Sequence, residues 1–292
     1  MAVRHIALAV LVAAIWGFNF VVIRVGLDTF PPLLLTALRF VVAALPALVV
    51  RPPALPVGRM VLIGLTWFLG QFVFVFLAMS NGMPPGLASL TLQAQSFFTI
   101  LIAAVALGER PAPRQIAGVL VAFCGLGLIG MSVGGDMTLI GLALTLCAAA
   151  SWACGNVLMR QAGPVDMLSM VVWLSLVPPV PAFALSLAFE GWPAIAASFA
   201  HATLLSYGAV IYLAVPTTLL GFGIWGHLLK RYPAGTVAPF SLLVPLFGTL
   251  SAALVLGERF PPLRFGGMAL IVCGLLVVVL PLGKWLRGLR RA

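Results

Sequence analysis

The ionisable side chains that could carry proton-transfer or cation chemistry are few, and they lie near the ends of apolar stretches. The 292 residues include 6 Asp and Glu residues and 3 His residues. Proton-driven membrane transporters commonly carry such a residue within the membrane, but no apolar stretch here has one near its middle. The pattern argues against a buried glutamate that binds cations, and it leaves facilitated diffusion or coupling through another site. The nine residues are Asp28, Glu109, Asp136, Asp166, Glu190, Glu258, His5, His201 and His227.

The same residues give no support for an enzyme, and no cofactor or metal is expected. A catalytic site needs a nucleophile with its base, or a set of metal ligands, and no convergent cluster of His, Asp and Glu is visible. The four cysteines lie in apolar segments without a CxxC pair, which favours packing over a zinc site or disulfides. They are Cys124, Cys147, Cys154 and Cys273.

Neutral polar and aromatic side chains recur inside the apolar stretches instead. Two sets of three are spaced i, i+4 and i+7, which places each set on one helix face. Such side chains also hold membrane helices together, so packing is an equal interpretation for any single residue. As a group they favour a shared cavity. The predicted substrate-binding residues are Trp67, Gln71 and Phe74 (first set), Ser89, Gln93 and Ser96 (second set), and Trp16, Asn19, Phe20, Trp152, Asn156, Tyr212, Pro239, Ser241 and Pro245.

A cavity of this composition is mostly apolar and aromatic, with a few neutral amides. It suits a neutral or zwitterionic solute with a hydrophobic side chain, held by stacking and van der Waals contact. The lack of a fixed charge predicts loose selectivity, because buried charged and polar groups are what reject analogues strongly.

Arg39 is the exception among the basic residues, because it lies two turns into an apolar stretch with no acidic residue nearby in sequence. An arginine at such a position costs about 2.5–3.5 kcal/mol on membrane-insertion scales. We expect it to extend to the membrane surface or to bond backbone carbonyls. A role in gating or in attracting a carboxylate is the lesser alternative.

The elements that position these residues are membrane-spanning helices. The chain is 63% hydrophobic and 8% charged, whereas soluble domains carry roughly 25% charged residues. Its mean hydropathy is +1.20. The apolar runs are continuous, which argues against a β-barrel. The length fits about ten spans of ~20 residues, predicted at 6–27, 32–50, 60–80, 86–107, 115–133, 138–160, 165–189, 203–226, 235–257 and 265–283.

The basic residues indicate the orientation of the spans. The net charge of +10 does not predict nucleic-acid binding, because the basic residues separate apolar runs and do not cluster on one face. Cytoplasmic loops are enriched in Lys and Arg. With the first stretch read as a retained span and not a cleaved signal peptide, twelve basic residues fall on the side of the two termini and two on the other. The two are Arg259 and Arg264. Both termini are therefore predicted to be cytoplasmic.

The chain also contains an internal repeat. Residues 84–126 align without a gap on residues 233–275, and 15 of the 43 positions are identical. Because each half has five spans, an odd number, the second half is predicted to be inverted, as in many secondary transporters. The predicted domains are 1–134, 137–283 and a basic cytoplasmic tail, 284–292.

A Gly-Glu-Arg motif closes the fourth and ninth spans, at 108–110 and 257–259. It could form ion pairs or a gate. We favour a structural interpretation, in which the glycine ends the helix and the charges lie in the headgroup layer.

Ten spans in two inverted halves, Trp16-Gly17 in the first span and the repeated Gly-Glu-Arg motif resemble the drug/metabolite transporter superfamily. The chain is similar to its EamA-domain branch, and most of all to the YddG-type aromatic amino acid exporters. The second half departs from the first, with Ala153 and Gly155 where Gly17 and Asn19 stand, so unequal polar contributions are expected.

The resemblance implies an all-α secondary transporter in the bacterial cytoplasmic membrane that exports aromatic or hydrophobic amino acids and related metabolites by alternating access. The alternatives are a broad-specificity drug efflux carrier, a metabolite importer and, more remotely, a non-transporting membrane scaffold. The expected partners are a small-molecule substrate and the lipid bilayer, with no nucleic acid. The protein is expected to act as a monomer or as an oligomer.

Overall fold

The computed structural model describes residues 1–132, 136–163 and 165–279, and in these ranges the chain folds into helices joined by short turns. The predicted basic tail, 284–292, and the last residues of the predicted tenth span lie outside the described residues.

The helices of the first half are α1 (Val3–Leu27), α2 (Pro32–Ala44), α3 (Val57–Ile63), α4 (Gln71–Ser80), α5 (Pro85–Thr91), α6 (Ala94–Leu107) and α7 (Pro113–Met131). Those of the second half are α8 (Leu139–Gln161), α9 (Met167–Leu174), α10 (Pro179–Phe189), α11 (Gly191–Ala200), α12 (Leu204–Tyr212), α13 (Gly221–Arg231), α14 (Ala234–Val237), α15 (Leu243–Leu256) and α16 (Pro262–Val279). A 3₁₀ turn follows α2 at Leu45–Leu48, and another joins α14 to α15 at Ala238–Leu242.

Two long helices contain a stretch of π-helix, in which the backbone turns more widely than in an α-helix. Gly64–Gly70 joins α3 to α4, and Leu213–Leu220 joins α12 to α13. The first residues of the two stretches are 149 positions apart, from 64 to 213, which is the offset of the sequence repeat. Such stretches frequently occur at functional sites. The sequence analysis did not predict them.

Most of the predicted spans are present as long apolar helices. Counted over the described ranges, eight helical stretches are long and apolar enough to cross a membrane. The other two predicted spans correspond to shorter apolar stretches, Pro32–Leu48 and Pro262–Val278. The protein is therefore all-helical with multiple membrane-spanning segments, and the count of ten crossings stays a prediction. Helix α11 occupies residues that were predicted to be a loop.

Proline and glycine set several helix ends. Pro32, Pro85 and Pro113 are the first residues of their helices, where the missing N–H has no intrahelical partner to lose. Gly108 and Gly257 end α6 and α15 in the left-handed conformation, at φ 65° and 68°. The prediction that the glycine of each Gly-Glu-Arg motif terminates its helix is confirmed.

Helices α7 and α16, one from each half, pack with their backbones in contact. A Cβ at Gly118 would lie 2.7 Å from the carbonyl oxygen of Gly274, and one at Gly125 would lie 2.6 Å from that of Gly267. Close approach through small residues is the usual way in which membrane helices associate. The glycines of these two predicted spans are packing residues.

Candidate functional site

A central cavity of about 160 Å³ lies inside the bundle and is lined by residues of both halves. Eight of the fifteen predicted site residues line it, namely Trp16, Asn19, Phe20, Gln71, Gln93, Ser96, Trp152 and Ser241. The lining residues outside the predicted set are Ile23, Arg39, Phe72, Val75, Leu92, Gln95, Thr217, Phe222 and Val244.

One wall of the central cavity is aromatic. The ring centroid of Phe222 lies 5.2 Å from that of Trp16 and 6.0 Å from that of Trp152. Trp67 stands behind Trp152, at 4.8 Å. Tilted ring pairs at these separations attract each other. Trp16 of α1 and Trp152 of α8, which are equivalent in the repeat, thus meet on the same residue of α13.

Most of the other predicted site residues make contacts between helices. The hydroxyl of Tyr212 donates to the carbonyl of Ile15 at 3.1 Å, and Nε1 of Trp67 donates to Oδ1 of Asn156 at 3.1 Å. Asn156 lines a second cavity, described below.

Ser89 donates to the carbonyl of Gly86 at 2.7 Å and packs against Gly248, where a Cβ would lie 2.5 Å from its Oγ. Phe74, Pro239 and Pro245 are not among the residues that line either cavity. For Ser89 the packing interpretation is therefore the better one.

Arg39 points into the protein and not toward the membrane surface. Its side chain is 0% exposed, its Nη2 donates to Oγ1 of Thr218 at 2.9 Å, and its Nε donates to the same oxygen at 3.3 Å. The guanidinium carbon lies 3.8 Å from the ring centroid of Phe72, a cation–π contact. Neither expected arrangement, extension to the surface or bonding to carbonyls, is present. The expectation of a cavity without a fixed charge is also wrong, because Arg39 lines it.

Several polar atoms around the cavity are buried without a partner. Among the described residues, six buried side-chain atoms have no hydrogen-bond partner, and five of them belong to residues that line the central cavity. Buried polar groups are nearly always satisfied in native proteins. Their concentration at one place marks it as a site for a polar ligand or water. The five atoms are Asn19 Oδ1, Arg39 Nη1, Gln71 Oε1, Gln95 Oε1 and Thr217 Oγ1.

A second cavity, of about 600 Å³, opens at one end of the bundle. We call this the basic end, because it carries Arg51, Arg59, Arg110, Arg160 and Lys230. Its lining includes Glu109 and Arg160, which form an ion pair at 3.1 Å with both side chains about half exposed. Exposed pairs of this kind contribute little stability. This agrees with the interpretation of the first Gly-Glu-Arg motif as a helix end at the membrane rim.

The second motif is different, because Glu258 is half-buried and joins two helices at the opposite end. Its Oε2 accepts a hydrogen bond from the backbone N–H of Gly86, in the first turn of α5, at 3.0 Å. Burial raises the pKa of this carboxyl to about 7, although the Gly86 N–H opposes the shift. The rim interpretation is incomplete for Glu258, because its partner lies 172 residues away and sequence alone does not reveal it.

Each π-helical stretch is held by a side chain of the other half. Nε1 of Trp16 in α1 donates to the carbonyl of Thr217 at 3.0 Å, and Oγ of Ser151 in α8 donates to the carbonyl of Thr66 at 2.7 Å. Thr217 and Thr66 belong to the two π-helical stretches. The wider backbone turn leaves carbonyls available to such partners, and in this way the two halves are joined around the cavity.

Apolar membrane helices from two halves, arranged around a buried cavity with polar atoms and an aromatic wall, define a membrane transporter. The chain belongs to the EamA-like transporter family, whose model matches residues 3–131 and 139–280. The predicted membership of the EamA branch is thereby confirmed, and it identifies a transporter and not an enzyme.

Proteins over almost the whole length of the chain are similar to it. A protein of Escherichia coli K12 named a probable amino-acid metabolite efflux pump is 44% identical, with 97% of each chain covered. Another E. coli K12 protein, named an uncharacterized inner membrane transporter, is 26% identical, with 93% of this chain and 89% of its own length covered. A solved crystal structure, 21% identical, superposes with a TM-score of 0.61 over 94% of this chain and 96% of its own and shares the fold.

Proposed function

We propose that the protein is a secondary transporter of the bacterial inner membrane that exports amino acids or related metabolites. The observation that carries the proposal is the central cavity, in which an aromatic wall faces five buried polar atoms without partners. The name of the 44% identical relative supports amino-acid metabolites as the substrate class. The name of the more distant relative supports the inner membrane. Large outward-facing apolar residues such as Val105 and Leu204 supply a surface that lipid would cover.

We further propose ten crossings in two inverted halves. Two features support this arrangement. The π-helical stretches recur at the offset of the sequence repeat. The helix pairs also correspond, since α1 packs on α15 and α8 packs on α6. These are the first span with the ninth and the sixth with the fourth, which exchange when the two halves are exchanged.

Alternating access explains the difference between the two ends of the bundle. At the end opposite to the basic end, α5 packs on α15 and Glu258 bonds the first turn of α5. At the basic end, the equivalent Glu109 pairs with Arg160 beside the larger cavity. If the basic end is cytoplasmic, as the Lys and Arg distribution predicts, this conformation is open to the cytoplasm and closed to the outside.

The size of the central cavity bears on the substrate. Its volume of about 160 Å³ is close to that of an engineered cavity of roughly 150 Å³ that binds benzene. A solute with a small apolar side chain therefore fits this conformation. A larger aromatic amino acid needs the cavity to widen, for example toward the 600 Å³ cavity.

Exchange of amino acids by the purified protein in liposomes tests the proposal. We expect labelled amino acids to enter preloaded vesicles faster than empty-vesicle controls allow. Trp152→Ala removes part of the aromatic wall and should reduce exchange by at least about tenfold, the equivalent of ~1.4 kcal/mol of binding. Trp192→Ala removes the same ring from an exposed site on α11 (64% exposed) and should leave exchange unchanged. No exchange of any of the twenty amino acids by wild-type protein would refute the proposal.

A further inference from the structure

Arg39 is a buried cation for which the chain provides no carboxylate. It is 0% exposed, and the sequence has six Asp and Glu side chains. Each of the six is engaged elsewhere. Asp28 pairs with Arg24, Glu109 with Arg160, Asp136 with Arg264 and Asp166 with Lys230. Glu190 accepts from the N–H groups of Leu33 and Leu34 at the start of α2, and Glu258 accepts from that of Gly86.

A buried charge without a counter-charge is unfavourable unless something compensates it. In this chain the compensation is partial. One edge of the Arg39 guanidinium bonds the hydroxyl of Thr218, and its face lies on the ring of Phe72. The remaining terminal nitrogen, Nη1, has no partner among the residues that the structure describes. Guanidinium groups bind carboxylates in a two-point fork, and Nη1 together with Nη2 forms the edge of Arg39 that is not turned toward Thr218 through Nε.

The other unpartnered atoms of the central cavity are acceptors. They are the amide oxygens of Asn19, Gln71 and Gln95 and the hydroxyl of Thr217. An ammonium group has three donors and no acceptor, so it complements a set of neutral oxygens without needing a carboxylate. One cavity thus contains a free cationic donor and several free neutral acceptors.

We propose that the central cavity is a zwitterion site, in which Arg39 binds the carboxylate of an amino acid and the amide oxygens of Asn19, Gln71 and Gln95 bind its ammonium group. The apolar side chain of the amino acid then lies on the aromatic wall of Trp16 and Trp152. This inference rests on the proposed transport function and adds the two recognition poles. It also predicts selectivity for the zwitterion, because an analogue without one charge leaves buried polar groups unpaired.

The experiment compares an amino acid with its own fragments on wild-type protein. Each of the twenty amino acids is tested for exchange in liposomes, and the most rapidly exchanged one is competed with its decarboxylated amine and its deaminated acid. For leucine these are 3-methylbutylamine and 4-methylpentanoate. We expect the amino acid to compete on the order of 100-fold better than either fragment, in line with the loss of one partner of a buried charge pair. Equal competition by the amine overturns the role of Arg39, and equal competition by the acid overturns the ammonium pole.

Variants of Arg39 locate the effect. Arg39→Met keeps the length of the side chain without its charge, and it should abolish the advantage of the amino acid over the amine while the protein remains monodisperse. Arg39→Lys keeps a charge without the fork and should restore part of that advantage. Wild-type exchange and unchanged preference in Arg39→Met refute the inference and leave the proposed function intact. If the variant does not fold, the comparison of fragments on wild-type protein still decides. Absence of exchange for all twenty amino acids refutes the proposed function itself.

Discussion

The contact between α7 and α16 gives a sharp test of the packing, through Gly125→Ala. An added Cβ would lie 2.6 Å from the Gly267 carbonyl oxygen, 3.0 Å from the backbone nitrogen of Ile271 and 3.0 Å from Cβ of Leu270. Ordinary contacts begin at 3.4 Å, so the helices must separate by about 0.8 Å. No flexible side-chain end is available to yield instead.

Overpacking of this kind costs about 1–3 kcal/mol, against at most about 1 kcal/mol gained from replacing glycine in a helix. The matched control is Gly127→Ala on the same helix, where nothing lies within 4 Å of the new Cβ. In detergent we expect Gly125→Ala to melt several degrees below wild type and Gly127→Ala to melt at or slightly above it. Equal melting temperatures for the two variants would show that α7 and α16 are not in backbone contact.

Two further predictions concern the ends of the bundle and the π-helical stretches. Because the pKa of Glu258 is raised to about 7 in the folded protein, above its usual value near 4.3, the folded state binds the proton more tightly, and this group lowers the stability as pH rises from about 4.5 to about 7. Glu258→Gln should therefore melt with wild type at pH 5 and above it at pH 8 in scanning fluorimetry; a pH-independent difference contradicts the assignment. Trp16→Phe and Ser151→Ala should each lose about 0.5–1.5 kcal/mol of stability, the contribution of one hydrogen bond, and the losses should add in the double variant because the two bonds share no partner. Strong non-additivity would indicate that the two stretches are coupled.

The local features of the fold were predictable from sequence, because they depend on residues close together in the chain. Apolar length gives the span from Pro85 to Leu107 to within a residue or two of the predicted 86–107, and the glycine of each Gly-Glu-Arg motif ends its helix. The π-helical stretch at Gly64–Gly70 was not predictable, because its composition is that of an ordinary apolar helix. The ten-residue α11 was missed because it is too short to cross a membrane.

The candidate site was predictable in its composition and not in its contacts. Helical spacing selected Gln71 and Gln93, which line the cavity, and also Ser89, which packs between helices. Spacing does not distinguish these cases, because the neighbouring helix decides which face is filled. Arg39 stood out in sequence, but its partner Thr218 lies 179 residues away. Its inward direction depends on that contact and on Phe72, and neither is encoded near Arg39.

The π-helical stretches make the site sensitive to chain length as well as to residue type. An α-helix turns by about 100° per residue, so deletion of one residue within Gly64–Gly70 would let the stretch close into α-helix and rotate everything that follows. Gln71 and Phe72 come next in the chain and line the cavity, and they would then face another helix. An aligned relative with a one-residue gap at this position can keep every lining residue and still lack the binding site. Gaps in the third and eighth spans are therefore as informative about substrate as substitutions in the cavity.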